Sequence, residues 1–178
     1  MSVVEYEAKY LDVDTSAMAA RIADAGGRHV ADRLMRRYVY DTLPPAPGRW
    51  IRLRDDGAEV TLCVKEISSD AVDGTRETET AVGDFDTAHA LLGRMGISPT
   101  SYQENRRVSW LLEGARLEID SWPLIPPYLE IEADNAEQVW AAAKRLSLSL
   151  EDLTSENTTK VFARYGIDLG AITDLRFP

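Results

Sequence analysis

The feature that most constrains the fold of this chain is a repeated alternation of charged and apolar side chains. The pattern begins in Val3–Leu11, where Glu5, Glu7 and Lys9 stand at every second position with apolar or aromatic residues between them. A period of two is typical of β-strands, because successive side chains of a strand point to opposite faces. We therefore expect a first strand with one charged face and one apolar face.

Seven further segments have the same strand character. They are Arg36–Tyr40, Trp50–Arg54, Glu59–Glu66, Thr75–Val82, Arg106–Leu112, Arg116–Asp120 and Tyr128–Ala133. The turn signals Asp55-Asp56-Gly57 and Glu113-Gly114 each join two of these strands as a hairpin. The proline-rich stretch Asp41–Gly48 is expected to be a loop.

Four helices are expected between and after the strands. Their expected bounds are Thr15–Ala25, Phe85–Met95, Ala136–Leu146 and a last helix that begins near Thr154 or Ser155 and ends at Gly166. The apolar residues of these segments recur at three- and four-residue spacing, and glycine follows several of them. Eight strands with a few helices predict one α+β domain over residues 1–178, built on a large antiparallel sheet or barrel.

Composition limits the classes of function. The net charge of −10 argues against broad nucleic-acid binding, although a local basic cluster helped by a metal ion can still bind phosphate. No apolar run is long enough to span a bilayer, and the N-terminal residues do not read as a secretory signal. The single cysteine, Cys63, fits a reducing cytoplasm and excludes an intrachain disulfide and a cysteine-based zinc site. We expect a cytoplasmic protein that binds neither nucleic acid nor membrane.

The charged strand faces differ in sign from strand to strand. Carboxylates alternate in four strands (Glu5 and Glu7, Glu77 and Glu79, Glu118 and Asp120, Glu130 and Glu132), and cations alternate at Arg52, Arg54 and Lys65. Carboxylates at alternate positions lie roughly 7 Å apart, a repulsion that a bound cation would offset. A solvated outer face is one interpretation. The scarcity of neutral polar residues at these positions favours a barrel with a wet, charged lumen that binds metal and phosphate.

These motifs resemble a known family. Glu5-x-Glu7-x-Lys9 is similar to the ExExK signature of the CYTH family, the triphosphate tunnel metalloenzymes, which include thiamine triphosphatases, inorganic triphosphatases and class IV adenylyl cyclases. The later motifs follow in the family's order: Arg52-x-Arg54, Lys65, Glu77-x-Glu79, a basic pair, Asp120 and Glu130-x-Glu132. The resemblance implies an eight-stranded antiparallel β-barrel, open at both ends, with helices packed outside and a triphosphate in its lumen.

The resemblance also implies roles for individual residues. The expected substrate-binding residues are Lys9, Arg52, Arg54, Lys65, Arg107 and Lys160. The expected ligands of Mg²⁺ or Mn²⁺ are Glu5, Glu7, Asp120, Glu130 and Glu132. The expected catalytic residues are Lys9, Glu7 and Glu79, with Glu77 as a further ligand or a residue that positions water.

One position departs from the family pattern. Members often have Lys-x-Arg where this chain has Asn105-Arg106-Arg107. Strand alternation puts Arg107, rather than Arg106, in phase with Asn105 and in the lumen. One cation of the usual set is then either missing or supplied by Lys160.

Several functions are compatible with such a tunnel. We expect hydrolysis of a terminal phosphate from a small triphosphate, since the sequence has no clear nucleotide-base pocket. A class IV adenylyl cyclase, a non-catalytic polyphosphate- or nucleotide-binding module and a plain structural barrel are the alternatives. Trp50 and Trp122 either stack on an aromatic substrate or pack beneath helices. A homodimer or the helices alone would cover the outward apolar strand faces, and the tail Ile167–Pro178 either packs on the body or plugs one barrel end.

Overall fold

The alternating segments form the strands of one closed sheet. The computed structural model describes residues 3–178, and within that range it contains eight long strands and four α-helices. The strands are β1 Val3–Tyr10, β2 Arg28–Ala46, β3 Arg49–Asp55, β4 Val60–Ile67, β5 Thr75–Val82, β6 Pro99–Leu112, β7 Ala115–Ser121 and β8 Tyr128–Ala133. The helices are α1 Thr15–Asp24, α2 Phe85–Arg94, α3 Ala136–Arg145 and α4 Thr158–Arg164.

The long strands close into an antiparallel barrel in the order β6-β2-β3-β4-β5-β1-β8-β7, with β7 pairing back to β6. Two short strands lie beside it: β9, Leu153–Thr154, pairs with β1, and β10, Asp174–Leu175, pairs in parallel with β6. The predicted eight-stranded antiparallel barrel with helices outside is confirmed. Since the sheet closes on itself, residues of one parity along each strand share a single interior.

The apolar strand faces point outward and pack under the helices. Leu117 and Ile131 of the barrel pack with Ile22 of α1 and Val139 of α3, and all four are at most 1% exposed. On another side of the barrel, α2 covers a separate apolar cluster, which consists of Tyr40, Leu53, Phe85 and Leu92. Each such buried side chain contributes about 1.5–3 kcal/mol. The fold therefore draws its hydrophobic stabilisation from outside the barrel and leaves the lumen to polar groups.

The helices begin where side chains cap them. Asp14, Asp84, Asn135 and Asn157 each accept a hydrogen bond from the backbone N–H three residues later. The first three helices lie within one residue of their expected bounds. The expected start of the last helix near Thr154 is wrong, because Thr154 belongs to β9 and pairs with Lys9 of β1.

Strands β2 and β6 are longer than the alternation indicated. The expected loop Asp41–Gly48 is largely wrong, because β2 continues to Ala46 before the turn at Pro47 and Gly48. Its register with β3 shifts between Asp41 and Ala46. The prolines therefore lie where β2 is no longer paired with β3. Because no hydrogen bonds are made to β3 at that point, the absence of their N–H groups loses none.

One end of the barrel is covered by α4 and the chain that follows it. The cover is an apolar cluster of Trp122, Ile125, Tyr128, Val161, Phe162, Leu169 and Leu175. The tail therefore packs on the body, through β10 beside β6, and its Leu169 also lines the lumen. None of the helices in residues 3–178 is long and apolar enough to cross a membrane.

Candidate active site

The lumen is a cavity of about 540 Å³ lined mainly by charged side chains. Among the described lining residues, nine are acidic and eight are basic. The acidic residues are Glu5, Glu7, Asp56, Glu77, Glu79, Glu118, Asp120, Glu130 and Glu132. The basic residues are Lys9, Arg33, Arg37, Arg52, Arg54, Lys65, Arg107 and Arg116. The structure thus brings together every site residue expected from the sequence except Lys160.

The two signs of charge are segregated around the barrel. Strands β6, β2, β3 and β4 are consecutive in the sheet and carry six of the eight basic residues; we call them the basic wall. Strands β5, β1, β8 and β7 complete the circle and carry all the acidic lining residues except Asp56; we call them the acidic wall. The lumen therefore has a predominantly positive side facing a predominantly negative side.

Two arginines of β3 lie closest to the carboxylates of β5. Arg52 donates to Glu77 at 2.7 Å and to Glu79 at 3.1 Å. Arg54 lies farther away, with its guanidinium 3.6 Å from Glu79. Burial and the neighbouring Arg52 and Arg107 lower the pKa of Arg54, because each disfavours another positive charge. Of the two, Arg54 has more of its hydrogen-bonding capacity left for a ligand.

Lys9 is the cation of the acidic wall. Its ammonium lies 2.9 Å from Glu7 and 3.1 Å from Glu130, and the residue is 1% exposed. Burial by itself lowers the pKa of Lys9, but the charges of Glu7 and Glu130 outweigh it and raise the pKa above its ordinary value. Lys9 therefore stays charged, and it holds the two carboxylates in place.

Arg107 joins the two walls where β6 meets β7. It donates to Asp120 at 2.6 Å and to Glu130 at 3.0 Å. Asp120 is 1% exposed and also accepts from the Asn105 amide at 2.9 Å. Arg106 points away from the lumen and lies over the Phe177 ring, with 4.5 Å between its Cζ and the ring centroid. Arg107 is thus the lumen residue of this pair, as the alternation predicted.

Glu5 and Glu77 lie close together where β1, β5 and β4 are neighbours, so a negative charge on one carboxyl group disfavours a negative charge on the other. Lys65 lies 2.8 Å from Glu5 and 3.0 Å from Glu77. Burial, together with a hydrogen bond to Glu77, raises the pKa of Glu5 to about 8. Glu77 also accepts from Arg52, so Glu5 is the less compensated of the two carboxyl groups, and a further cation beside Glu5 would favour its charged form.

Arg37 of β2 is a lumen residue that the sequence analysis missed. Burial, followed by the charges of Arg52, Arg54 and Arg107, lowers the pKa of Arg37 to about 9. Arg33 and Arg116 also line the lumen without having been predicted. Glu118, which the alternation put on the charged face without a specific role, lines it as well and accepts from Ser109 at 2.6 Å. The signal that could have identified Arg37 is its parity with Arg33, Met35 and Val39, but the adjacent Arg36 obscures the alternation.

Lys160 lies outside the lumen, so its expected position there is corrected. Its ammonium pairs with Asp70 in the loop before β5, and its side chain is 50% exposed. Helix α4 instead turns Asn157, Thr158 and Thr159 toward the cavity. Lys160 therefore cannot supply the cation that position 105 lacks.

The two tryptophans have different surroundings. Trp122 donates to the Tyr128 hydroxyl at 2.9 Å and packs edge-on against Phe162, so it belongs to the cover of the closed end. Trp50 lines the cavity and is only partly buried. Of the two, Trp50 is the one whose ring is available to a ligand.

The carboxylates of β1 and β8 fit a hard divalent cation. Glu7 and Glu132 are register partners, and Glu130 faces Lys9 two pairs further along. Carboxylate oxygens are the donors that Mg²⁺ and Mn²⁺ prefer. In the metal-free arrangement these expected ligands, with Glu5 and Asp120, are each paired with a lysine or an arginine.

A second group of potential ligands is less suited to a metal. Cys63, Glu77 and Glu79 offer ligand atoms within 4.8 Å of one another. However, the guanidinium of Arg52 already occupies both carboxylates. Burial raises the pKa of the Cys63 thiol to about 12, so it would not act as a thiolate ligand near neutral pH. We therefore favour the carboxylates of β1 and β8.

A closed antiparallel barrel with helices outside and oppositely charged walls inside places the protein in a class of tunnel-like barrels. The model of the CYTH domain matches residues 4–164, so the chain belongs to the CYTH family. The resemblance noted in the sequence is thereby confirmed. A search of the curated proteins finds no match to this chain.

Solved structures share the fold at low sequence identity. The PH1012 protein from Pyrococcus horikoshii superposes with a TM-score of 0.73 at 23% identity, covering 86% of this chain and 96% of that one. A putative adenylate cyclase from Vibrio parahaemolyticus gives 0.75 at 17% identity, covering 92% and 99%. A putative adenylyl cyclase from Hippeastrum, described as having a dominant triphosphatase activity, gives 0.58 at 18% identity, covering 93% and 96%. Proteins of this fold thus include both putative cyclases and one with triphosphatase activity.

Proposed function

We propose that this protein hydrolyses a small triphosphate, inorganic tripolyphosphate or an organic triphosphate such as thiamine triphosphate, in the barrel lumen with the help of Mg²⁺ or Mn²⁺. The observation that carries this proposal is the segregation of the lumen into a basic wall and an acidic wall. Cationic side chains on one side suit phosphate oxygens, and carboxylates on the other suit a divalent cation.

The charge balance of the lumen supports metal dependence. The described lining residues include nine acidic and eight basic groups, so the site has no excess of positive charge. A triphosphate adds several negative charges, and burying them without compensation is very unfavourable. Glu5, Glu7, Glu130 and Glu132 would hold the divalent cation, with Asp120 nearby. The bound cation would neutralise phosphate oxygens and lower the pKa of the attacking water.

The basic wall would bind the phosphate chain. Arg52 and Arg54 present guanidinium groups that can donate two parallel bonds to a phosphate. Lys65 and Arg107 lie on either side of them around the wall, and Lys9 faces them from the acidic wall. This arrangement extends a triphosphate along the wall and fixes the terminal phosphorus for in-line attack.

Hydrolysis needs little covalent participation by the protein. The water oxygen attacks the terminal phosphorus, and the bond from that phosphorus to the bridging oxygen breaks, which releases orthophosphate and the remaining diphosphate. Glu79, one-third exposed and 3.6 Å from Arg54, is placed to accept the proton that the water loses. Glu7 and Lys9 keep the acidic wall in register with the substrate.

The test is a product assay with purified protein. Tripolyphosphate, thiamine triphosphate and ATP are each offered with Mg²⁺ or Mn²⁺, and orthophosphate, pyrophosphate and cyclic AMP are measured. Orthophosphate release that stops on metal removal supports the proposal. Cyclic AMP as the main product from ATP would replace it with the cyclase.

The cyclase is a second candidate because Trp50 lines the cavity with a partly accessible ring. In that reaction the ribose 3′-hydroxyl of ATP attacks the α-phosphorus and pyrophosphate leaves. Replacing Trp50 with Leu would then weaken the binding of ATP but not the binding of tripolyphosphate. Tight tripolyphosphate binding without turnover under any metal would instead identify a non-catalytic binding module.

A further inference from the structure

Arg37 places an additional guanidinium in the basic wall. It is the register partner of Arg54 on β3 and of Gln103 on β6, and its side chain lines the cavity. Its Cζ lies 4.6 Å from the centroid of the Trp122 ring. Packing against this ring holds the planar group at the covered end of the lumen.

The hydrogen bonds of Arg37 differ from those of its neighbours. Arg52 and Arg107 bond carboxylates, whereas Arg37 donates to the neutral side-chain oxygen of Asn105. The Arg37 Nε is fully buried and makes no hydrogen bond to the described chain. A guanidinium has five N–H donors, so most of the capacity of Arg37 is unused.

A buried charge is costly, and the three further arginines around Arg37 increase the cost, which the Asp120 carboxylate offsets only in part. An anion that enters the space shared by Arg37, Arg54 and Arg107 would relieve both the repulsion and the unmet donors. Asn105 lies in phase with Arg107 on β6 but carries no charge. Arg37 reaches that position from the adjacent strand.

We propose that Arg37 is a substrate-binding residue that supplies from β2 the positive charge absent at Asn105, and that it binds a phosphate oxygen of the triphosphate. This inference rests on the proposed triphosphatase function. It also identifies the source of the cation that the sequence analysis assigned to Lys160.

The experiment removes the positive charge at position 37 and introduces one at position 105. Arg37→Gln removes the guanidinium, and Asn105→Lys in the same background returns a cation to the neighbouring position. We expect Arg37→Gln to raise KM for tripolyphosphate about 10- to 100-fold, the loss typical of a charged hydrogen bond, with a smaller change in kcat. The double variant should recover most of that loss, as should Arg37→Lys in part. Arg36→Gln is the matched control, because Arg36 points outward to Asp55.

Each other outcome overturns the inference. An unchanged KM in Arg37→Gln would show that Arg37 does not contact substrate. A raised KM that neither Asn105→Lys nor Arg37→Lys restores, with a lowered melting temperature, would assign Arg37 to packing on Trp122. Failure of the unmodified protein to bind or cleave either tripolyphosphate or thiamine triphosphate would remove the proposed function and this inference together, whereas the first two outcomes leave the function standing.

Discussion

The two walls of the lumen hold their charges in different ways. In the acidic wall, Lys9 is fixed between Glu7 and Glu130, and the attraction raises its pKa. In the basic wall, Arg37 and Arg54 have lowered pKa values, because burial and neighbouring arginines disfavour their charge. The carboxylates beside Lys9 are therefore paired within the acidic wall, whereas Arg37 and Arg54 are the least compensated cations of the basic wall. This difference indicates which side of the barrel gains most from an incoming anion.

The largest expected effect comes from breaking the junction between the walls. Asp120→Ala removes the closest partner of the buried Arg107, which keeps Glu130 at 3.0 Å and the more distant Glu118 at 4.0 Å. Loss of one partner from a buried ion pair costs about 3 kcal/mol, so the free energy of unfolding should fall by about that amount in urea titration. Asp41→Ala, at an exposed position of β2, is the control. A change below about 1 kcal/mol would indicate that water screens the junction.

The next effect should follow from removing Arg54, the arginine of β3 that lies farther from the carboxylates. Arg54→Ala is expected to lower kcat/KM for tripolyphosphate by about 10²- to 10³-fold, the range found when one group that stabilises transition-state charge is lost. Folding should be unaffected, because Arg54 lies 3.6 Å from its carboxylate neighbour. Arg106→Ala, on the outer face, should keep full activity. Equal activity in both variants would contradict an anion-binding basic wall.

A smaller change is expected from the acidic wall. Glu7→Gln removes one carboxylate from the proposed ligand set and one partner of Lys9. The concentration of Mg²⁺ or Mn²⁺ that gives half-maximal activity should rise about 10- to 100-fold, comparable with the loss of a residue that supports a metal ligand. Glu113→Gln, at the exposed turn before β7, should leave the metal requirement unchanged. If the metal requirement of Glu7→Gln is also unchanged, the metal does not bind at β1.

The smallest effect is expected at the solvent-exposed rim of the acidic wall. Arg116 pairs with Glu132, but its side chain is 62% exposed. Exposed ion pairs contribute about 1 kcal/mol or less, so Arg116→Gln should hardly change the urea midpoint. A loss of stability as large as that expected for Asp120→Ala would mean that the Arg116–Glu132 pair is as buried as the Arg107–Asp120 pair.

The sequence predicts which side chains of most strands face the lumen, because the charged residues stand at every second position and this is also the period of a β-strand. Glu5, Glu7 and Lys9 show this most clearly, since no charged residue intervenes between them. In β2, by contrast, the adjacent Arg36 and Arg37 put charge on both faces, and only pairing with β3 separates them. The alternation alone therefore could not identify Arg37.

Other features depend on how distant parts of the chain dock. The position of Lys160 follows from the start of α4 at Thr158, three to four residues after the expected start. Since a helical turn contains about 3.6 residues, this shift is about one turn, and it places Lys160 in the first turn of α4, where its ammonium pairs with Asp70. The cover formed by Trp122, Phe162 and Leu169 likewise joins residues far apart in sequence, which no local pattern records.

That cover has a kinetic consequence. Because an apolar cluster covers one end of the lumen, a triphosphate substrate and its products would all pass through the other end. A departing diphosphate would then move against the incoming substrate and past the arginines that had bound it. Slow release of that diphosphate would limit the proposed hydrolysis, so added pyrophosphate should act as a competitive inhibitor of tripolyphosphate cleavage.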